Sequence, residues 1–124
     1  MSTPFDDQET FMRASGQTTD VFNPEQFNLY VKLISEEYQE LSDAISALDK
    51  TETLDALVDI LVVTIGAIHS MGADATGAWQ EVMQTNLAKI DPVTGRVNRR
   101  EDGKILKPQG WQPPRLQQFL RKPT

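Results

Sequence analysis

Two rows of acidic side chains in consecutive helical segments constrain this chain more than any other feature of its sequence. The acids are Glu36, Glu37 and Glu40 in the first row and Glu52, Asp55 and Asp59 in the second. The first row fits within about one helical turn, and the second falls on one stripe because its spacings are i, i+3 and i+7. Like charges at such spacings repel, by about 0.2–0.5 kcal/mol for an exposed i,i+4 pair. The fold must therefore either leave both rows in water or supply them with a cation.

The position of Asp59 in the sequence favours the second alternative, a bound cation. Asp59 lies inside the apolar run from Ala56 to Ile68, where a carboxylate without a partner is costly. Mg²⁺ takes octahedral oxygen ligands and commonly uses a few carboxylates, several waters and substrate phosphates. We therefore expect an Mg²⁺ site, also open to Mn²⁺, between the two rows, and a solvated acidic surface is the alternative. The predicted ligands are Glu37, Glu40, Asp55 and Asp59, with Glu36 and Glu52 in reserve.

Other metal and nucleophile chemistries are excluded. A di-iron bundle needs Glu-x-x-His pairs, but Gly66 stands three residues before His69, the one histidine of the chain. We predict that His69 is a surface residue near the end of its helix. The sequence has no cysteine, which excludes disulfide frameworks, zinc fingers and cysteine nucleophiles.

Periodicity and capping residues predict an all-α fold, a bundle of four to five helices in one domain over residues 1–124. The four main helices are expected at about 3–15, from 23, at 52–71 and at 74–89, and their predicted N-caps are Thr3, Asn23, Thr51 and Asp74. The inward-facing residues are expected to include Phe11, Tyr38, Ile45 and Trp79. Gly66 indicates a close helix crossing. The third helix is apolar on more faces than one small bundle can cover, so we expect a homodimer or homotetramer.

The chain ends in a basic, turn-rich arm over residues 91–124, which we predict to be ordered and to carry Ile105, Leu106 and Trp111 as apolar anchors. Residues 1–88 hold three basic and fifteen acidic residues, whereas residues 89–124 hold nine basic and three acidic ones. Duplex DNA needs a broad basic face, so a nucleic acid polymer is not the expected partner. This charge pattern suits a small polyanion held by metal on one side and by Lys and Arg on the other.

Asn86 and Lys89 lie at i, i+3 near the end of the fourth helix and could share one face. The predicted phosphate-binding residues are Asn86, Lys89, Lys104 and Lys107. Trp111 is expected to anchor the arm or, alternatively, to line a base pocket. The longest apolar run is short and interrupted by Asp59, and the N-terminus has no basic n-region, so we expect a cytoplasmic protein without a membrane span.

The order of these motifs resembles that of the all-α NTP pyrophosphatases. The shared elements are Glu-Glu-x-x-Glu, an Asp-rich apolar helix ending in Gly, Thr-Asn-x-x-Lys, and Arg-Glu-Asp-Gly-Lys-x-Leu-Lys-Pro-x-Gly-Trp, within about residues 27–114. This superfamily includes MazG-like enzymes, phosphoribosyl-ATP pyrophosphohydrolases and dimeric dUTPases. The resemblance implies Mg²⁺-dependent cleavage of an NTP or dNTP between its α- and β-phosphates, with release of pyrophosphate, and a role in nucleotide-pool house-cleaning.

The resemblance also implies roles for individual residues. The family element Glu-x-x-Glu maps onto Glu37 and Glu40, with Glu36 beside it. A carboxylate, either Glu36 or Glu37, is expected to orient the attacking water.

The second family element, Glu-x-x-Asp, fits this chain in two registers. One register gives Glu52 and Asp55, and the other ends at Asp59 but has Ala56 in place of the Glu. Because of Ala56, a second hypothesis stays open, in which the chain is a catalytically silent helical module of the same fold that serves oligomerisation.

Overall fold

A computed structural model of the chain describes residues 2–123. Within that range the chain forms α1 (Pro4–Ala14), α2 (Pro24–Ser46), α3 (Lys50–Ser70) and α4 (Ala75–Leu87), followed by a 3₁₀ helix at Gln117–Phe119. The β structure of these residues is limited to two isolated bridges, Ile90 with Val97 and Arg99 with Ile105. The prediction of an all-α fold is confirmed.

The chain divides into two compact units. Unit 1 comprises the chain up to Ala75 together with the segment from Phe119 onward, and unit 2 comprises Thr76–Gln118. The boundary follows the first residue of α4, so unit 1 holds α1, α2 and α3, and unit 2 holds most of α4 and most of the arm. The single domain over residues 1–124 stays a prediction.

A tight turn makes α2 and α3 an antiparallel hairpin, the main packing pair of unit 1. Leu48 adopts φ 56°, and the N–H of Asp49 donates to the carbonyl of Ala44 at 3.1 Å. The side chain of Asp49 then accepts the N–H of Glu52 at 3.0 Å and begins α3. The prediction that Thr51 caps this helix is wrong, because Asp49 performs that role two residues earlier.

The core of unit 1 joins its three helices. It consists of Met12 from α1, Tyr30 from α2, and Val63 and Ala67 from α3. A Cβ atom on Gly66 would overlap the Tyr30 ring, so glycine is required where α2 crosses α3. The predicted close crossing at Gly66 is confirmed. The predicted N-caps Thr3 and Asn23 are confirmed as well.

Several large apolar side chains lie outside this core. Phe11, Tyr38, Ile45 and Trp79 are each more than half exposed in the single chain, so the prediction that they face inward is wrong. On α3, five further large apolar residues are exposed, namely Leu54, Leu57, Val58, Leu61 and Val62. The small core therefore leaves many apolar side chains of α2 and α3 exposed in the single chain. Association of copies through these side chains stays a prediction.

By length and composition alone, α3 could cross a membrane, since it has 21 residues and a mean hydropathy of 1.6 over its most apolar window. The sequence suggested that the apolar run is too short to span a membrane. The length of α3 does not support that argument. The helix packs against both α2 and α1, however, and 39% of that window is buried. A central helix of a helical bundle has the same composition.

The last residues of the described chain return to unit 1 through backbone hydrogen bonds. The N–H of Asp74 donates to the carbonyl of Phe119 at 2.9 Å, and the N–H of Lys122 donates to that of Gly72 at 3.1 Å. The two points at which the chain passes between the units, after Ala75 and before Phe119, therefore lie beside each other within unit 1.

Three ionisable side chains of unit 1 form what we call the mixed cluster: Glu9, His69 and Lys122. The Lys122 ammonium group lies 3.3 Å from Glu9 Oε2 and 3.4 Å from His69 Nδ1, and it donates to the carbonyl of Thr19. His69 Nε2 lies 2.9 Å from the carbonyl of Phe5. His69 is only 3% exposed, so the prediction of a surface histidine is wrong, because α1 and the C-terminal segment cover the end of α3.

In unit 2 the arm is held by hydrogen bonds to α4 and by hydrogen bonds within its own turns. The indole N–H of Trp111 donates to the carbonyl of Thr85 on α4 at 2.7 Å. Backbone hydrogen bonds close the turn over residues 91–96. Ile105 and Leu106 are 42% and 41% exposed, so they are not the buried anchors that the sequence suggested. Trp111 is therefore the predicted anchor that the structure supports.

Candidate metal centre

The α2–α3 hairpin of unit 1 brings carboxylates from both acidic rows together. Glu37 and Glu40 lie one turn apart on α2, and Asp55 and Asp59 lie one turn apart on α3. Ala56 is 3% exposed beside them, and its small side chain allows the two helices to approach closely. We call Glu37, Glu40, Asp55 and Asp59 the acid cluster.

Three members of the acid cluster have the spacing of a cation site. Carboxylate oxygens of Glu37, Glu40 and Asp59 all lie within 4.8 Å of one another. Oxygens that share one octahedral Mg²⁺ are about 3–4 Å apart. Modest side-chain rotation would therefore bring these three carboxylates onto a single ion.

Glu37 carries the strongest indication of a missing positive charge. Its Oε2 atom is buried and has no hydrogen-bond partner among residues 2–123. A buried carboxylate oxygen without a donor is unfavourable, and such atoms are uncommon in folded proteins. The chemistry of the donor set, all oxygen and all anionic, fits a hard divalent cation such as Mg²⁺ or Mn²⁺.

The pKa values in the acid cluster are shifted in the direction that crowded carboxylates produce. Desolvation, followed by the close approach and negative charge of Glu40 and by the charges of Asp59 and Asp55, raises the pKa of Glu37 to about 7. Desolvation also raises the pKa of Asp59, together with the charge and hydrogen bond of Asp55 and the charge of Glu40. Without a cation, the cluster therefore holds a proton near neutral pH.

A cavity of about 510 Å³ opens beside the acid cluster and is lined by Glu40 and Asp55 with further acids. Glu52, predicted as a reserve ligand, lies on its wall. Asp43 and Asp49 also line it, and the sequence analysis missed both. Asp43 could have been found, since it continues the row of α2 three residues after Glu40. Asp49 could not, because its position depends on the turn between the helices.

The geometry separates the alternatives that the sequence left open. Glu36 is exposed and, unlike Glu37, does not belong to the group of close carboxylates. Which of the two orients the attacking water stays a prediction. Asp59 is part of the group, which favours the register in which Ala56 replaces a glutamate. The charge of Asp55, the residue before Ala56, contributes to the raised pKa values of Glu37 and Asp59. Asp55 is therefore the fourth carboxylate of the acid cluster.

Within unit 2, four of the five predicted substrate-binding residues lie together. Lys89 Nζ donates to Asn86 Oδ1 at 3.1 Å. The ammonium groups of Lys89 and Lys107 lie 5.2 and 4.8 Å from the centroid of the Trp111 ring. Lys104 is exposed in a turn where its backbone N–H donates to the Asp102 carboxylate. We call Asn86, Lys89, Lys107 and Trp111 the basic cluster.

The sequence is similar to a known protein family. The sequence model of the phosphoribosyl-ATP pyrophosphohydrolase family matches residues 8–86, more than half of the chain. No curated protein matches the chain. The matched range includes the whole acid cluster and Asn86, and it ends before Lys89, Lys107 and Trp111.

Proposed function

The chain belongs to the phosphoribosyl-ATP pyrophosphohydrolase family, and on that premise we propose that it cleaves a nucleoside triphosphate, NTP or dNTP, to the monophosphate and pyrophosphate. Family membership makes the chain a hydrolase that acts on acid anhydrides. The observation that carries the proposal is the buried, unpartnered Oε2 of Glu37 among carboxylates within 4.8 Å of one another. A divalent cation would neutralise such a group of carboxylates. Mg²⁺ commonly binds protein carboxylates and substrate phosphates at the same time, so a triphosphate is a suitable ligand. Nucleotide-pool house-cleaning is the role that we propose for this reaction.

The acid cluster would hold Mg²⁺ or Mn²⁺, with Glu52 available on the wall of the adjoining cavity. When bound, the cation would offset the phosphate charges and make the attacked phosphorus more electrophilic. We assign to Glu37 the role of accepting the proton of the attacking water, because its carboxylate has an oxygen, Oε2, that no donor among residues 2–123 occupies. The oxygen of that water bonds to phosphorus, the phosphoanhydride P–O bond breaks, and pyrophosphate leaves with the bonding electrons.

The basic cluster of unit 2 would contact the phosphates of the substrate. Lys89 and Lys107 converge on one indole ring, and lysine binds phosphate as a compact point charge. Asn86 holds Lys89 in place through its side-chain oxygen. Lys104 lies apart from this group in the described contacts, so we expect a smaller contribution from it.

A panel of nucleotides tests the proposed function. The full chain is incubated with NTPs, dNTPs and phosphoribosyl-ATP, with and without Mg²⁺ or Mn²⁺, and released pyrophosphate is measured. We expect metal-dependent release and a loss of about 100-fold or more in kcat for Glu37→Gln, in the range of general-base effects. Glu36→Gln, the matched change at the exposed neighbour, is expected to retain most of the activity. Release of no pyrophosphate from any nucleotide would favour the catalytically silent module.

We further propose that the enzyme is a cytoplasmic homodimer or homotetramer. The exposed apolar residues of α2 and α3 support association, because single soluble chains rarely expose contiguous apolar patches of this kind. Light scattering at micromolar concentration tests the proposal. A monomeric mass would contradict it.

A further inference from the structure

A second cavity, of about 570 Å³, lies wholly within unit 2 between α4 and the arm. We call it the α4–arm cavity, and the residues of its lining that matter here are Gln84, Gln109, Trp111, Gln112, Arg115 and Gln118. Its volume is within the range of small-molecule sites, which is about 300–1,000 Å³. None of these residues belongs to the acid cluster, which lies in unit 1.

Hydrogen bonds between α4 and the arm hold the walls of the α4–arm cavity in place. The indole N–H of Trp111 donates to the carbonyl of Thr85 at 2.7 Å. The backbone N–H of Arg115 donates to the carboxylate of Glu81 at 2.8 Å. Because both bonds join the arm to the helix, a ligand would meet a largely formed site and would not have to order the arm.

The lining favours recognition of a flat polar ligand over catalysis. Four glutamines line the cavity, and a primary amide offers both donors and acceptors. One of these amides, that of Gln118, already donates to the carbonyl of Arg115 at 3.1 Å. The hydrogen-bonding edges of nucleobases carry the same mixture, and glutamine amides pair with them in two-point contacts. Arg115 also lines the cavity, and an arginine guanidinium is a plane on which a base can stack.

Positive charge is available beside the amides. Trp111 lines the cavity and also carries the ammonium groups of Lys89 and Lys107 within 5.2 Å of its ring centroid. Unit 2 as a whole has seven Lys and Arg against four Asp and Glu, a net charge of +3. A ligand that joins a base to a phosphate matches both features.

We propose that the α4–arm cavity binds the nucleobase of a nucleoside phosphate, with the phosphate end at Lys89 and Lys107, and that its glutamines determine base preference. This proposal rests on the nucleotide substrate of the proposed function and names the residues that select it. Gln84 on α4 and Gln112 on the arm are the first candidates, because they approach the cavity from opposite walls.

Binding of nucleoside monophosphates by the full chain tests the site without requiring turnover. AMP, GMP, CMP and UMP are titrated into the labelled protein and followed by NMR, with ribose 5-phosphate as the base-free probe. We expect the four monophosphates to differ in Kd and to shift the side-chain amide signals of the cavity. Gln84→Ala and Gln112→Ala should each weaken the preferred monophosphate about tenfold, the scale of one lost base contact, and leave ribose 5-phosphate unchanged.

Gln80→Ala is the matched control, because Gln80 is an exposed glutamine of α4 outside the cavity lining. In the hydrolysis panel, the two cavity variants should alter the ratio of kcat/KM between bases, while Gln80→Ala should not. Base-dependent binding without any hydrolysis would support the cavity and overturn the proposed function. Normal hydrolysis with base preference and monophosphate binding equal in all three variants would overturn the cavity proposal alone.

Discussion

Unit 1 contains two groups of ionisable side chains that meet their neighbours in opposite ways. The acid cluster combines four groups of the same sign, and the Oε2 atom of Glu37 finds no hydrogen-bond donor in residues 2–123. The mixed cluster combines both signs. Glu9 Oε2 is also buried without a hydrogen bond of good geometry, but the Lys122 ammonium group lies 3.3 Å from it and supplies the opposite charge. Both groups are partly withdrawn from water, so burial alone does not distinguish them.

The pKa values reflect this difference in partners. In the acid cluster, desolvation and neighbouring negative charge act together, and the pKa values of Glu37 and Asp59 rise. In the mixed cluster, burial by itself would raise the pKa of Glu9, but the hydrogen bonds and charges of its partners, Lys122 foremost, lower it. A paired group of this kind stabilises the fold. A like-charge group lowers the stability of the free protein and indicates a site for a cation.

The largest expected effect is a loss of hydrolysis when a carboxylate of the acid cluster is removed. Asp59→Asn removes one carboxylate of the acid cluster, and we expect hydrolysis to fall about 100-fold, since the remaining oxygens hold a cation less well. Without metal, the variant should be at least as stable as the original chain, because it relieves repulsion. Pyrophosphate release and chemical denaturation measure the two quantities.

Asp20→Asn is the matched control for Asp59→Asn, because Asp20 is an exposed acid in the connector between α1 and α2. It should change neither quantity. If Asp59→Asn keeps full activity, the acid cluster is an ordinary surface and the comparison between the two groups has no functional content.

The second effect is on stability and belongs to the mixed cluster. Lys122→Met removes the positive partner of Glu9, and we expect unfolding to become easier by about 1–2 kcal/mol. This is less than a fully buried pair would lose, since the two side chains are 25% and 28% exposed. Arg121→Met changes an exposed neighbour and should have little effect. Equal losses in the two variants would show that the pair contributes nothing specific.

The same comparison explains which parts of the site could be predicted from the sequence. Spacing along one helix placed Glu37 with Glu40 and Asp55 with Asp59, because helical periodicity fixes which residues share a face. A short connection then made α2 and α3 neighbours, which was enough to bring the two rows together. Local information therefore sufficed for the acid cluster and for the all-α fold.

The mixed cluster could not be predicted in that way. Its members Glu9, His69 and Lys122 come from three distant parts of the sequence, and only the packing of α1 and the C-terminal segment against α3 brings them together. The burial of His69 follows from that packing and not from its position near a helix end. Tertiary contacts over such separations leave no periodic signal in the sequence.

The C-terminal return also changes how the basic arm should be tested. Removal of the chain after Ile90 would delete Lys122 along with Lys107, so a loss of activity could come from either. Lys107→Gln leaves the mixed cluster intact. We expect it to raise KM several-fold with little change in kcat, because a phosphate contact made equally in the bound and transition states changes binding alone. Arg99→Gln, in an exposed part of the same arm, is the control.

Added metal should produce a smaller effect, confined to the acid cluster and dependent on pH. The pKa of Glu37 is raised from 4.5 to about 7 in the folded chain, so its stabilising contribution is present below about pH 4.5 and is lost as pH rises through about 7. Cations bind the deprotonated form. We therefore expect millimolar Mg²⁺ to raise the Tm by a few degrees at about pH 8, equivalent to about 1 kcal/mol, and by much less at about pH 5. An equal shift in the Asp59→Asn variant would place the ion elsewhere.

The smallest effect should have the opposite dependence on pH and arise in the mixed cluster. Because a carbonyl oxygen can only accept, His69 Nε2 carries the hydrogen and donates a hydrogen bond to the carbonyl of Phe5. The other ring nitrogen, Nδ1, lies 3.4 Å from the Lys122 ammonium group. Burial, followed by the charge of Lys122, lowers the pKa of His69, although the Phe5 carbonyl and the charges of Glu9 and Asp6 oppose the shift. The stabilising contribution of neutral His69 is therefore present above about pH 6.5 and is lost as pH falls through its lowered pKa. His69→Gln keeps a donor for Phe5 but cannot gain a charge, so its stability relative to the original chain should improve by about 0.5 kcal/mol between about pH 7 and about pH 5. A constant difference between the two chains across that range would show that His69 has the same pKa in the folded and unfolded protein.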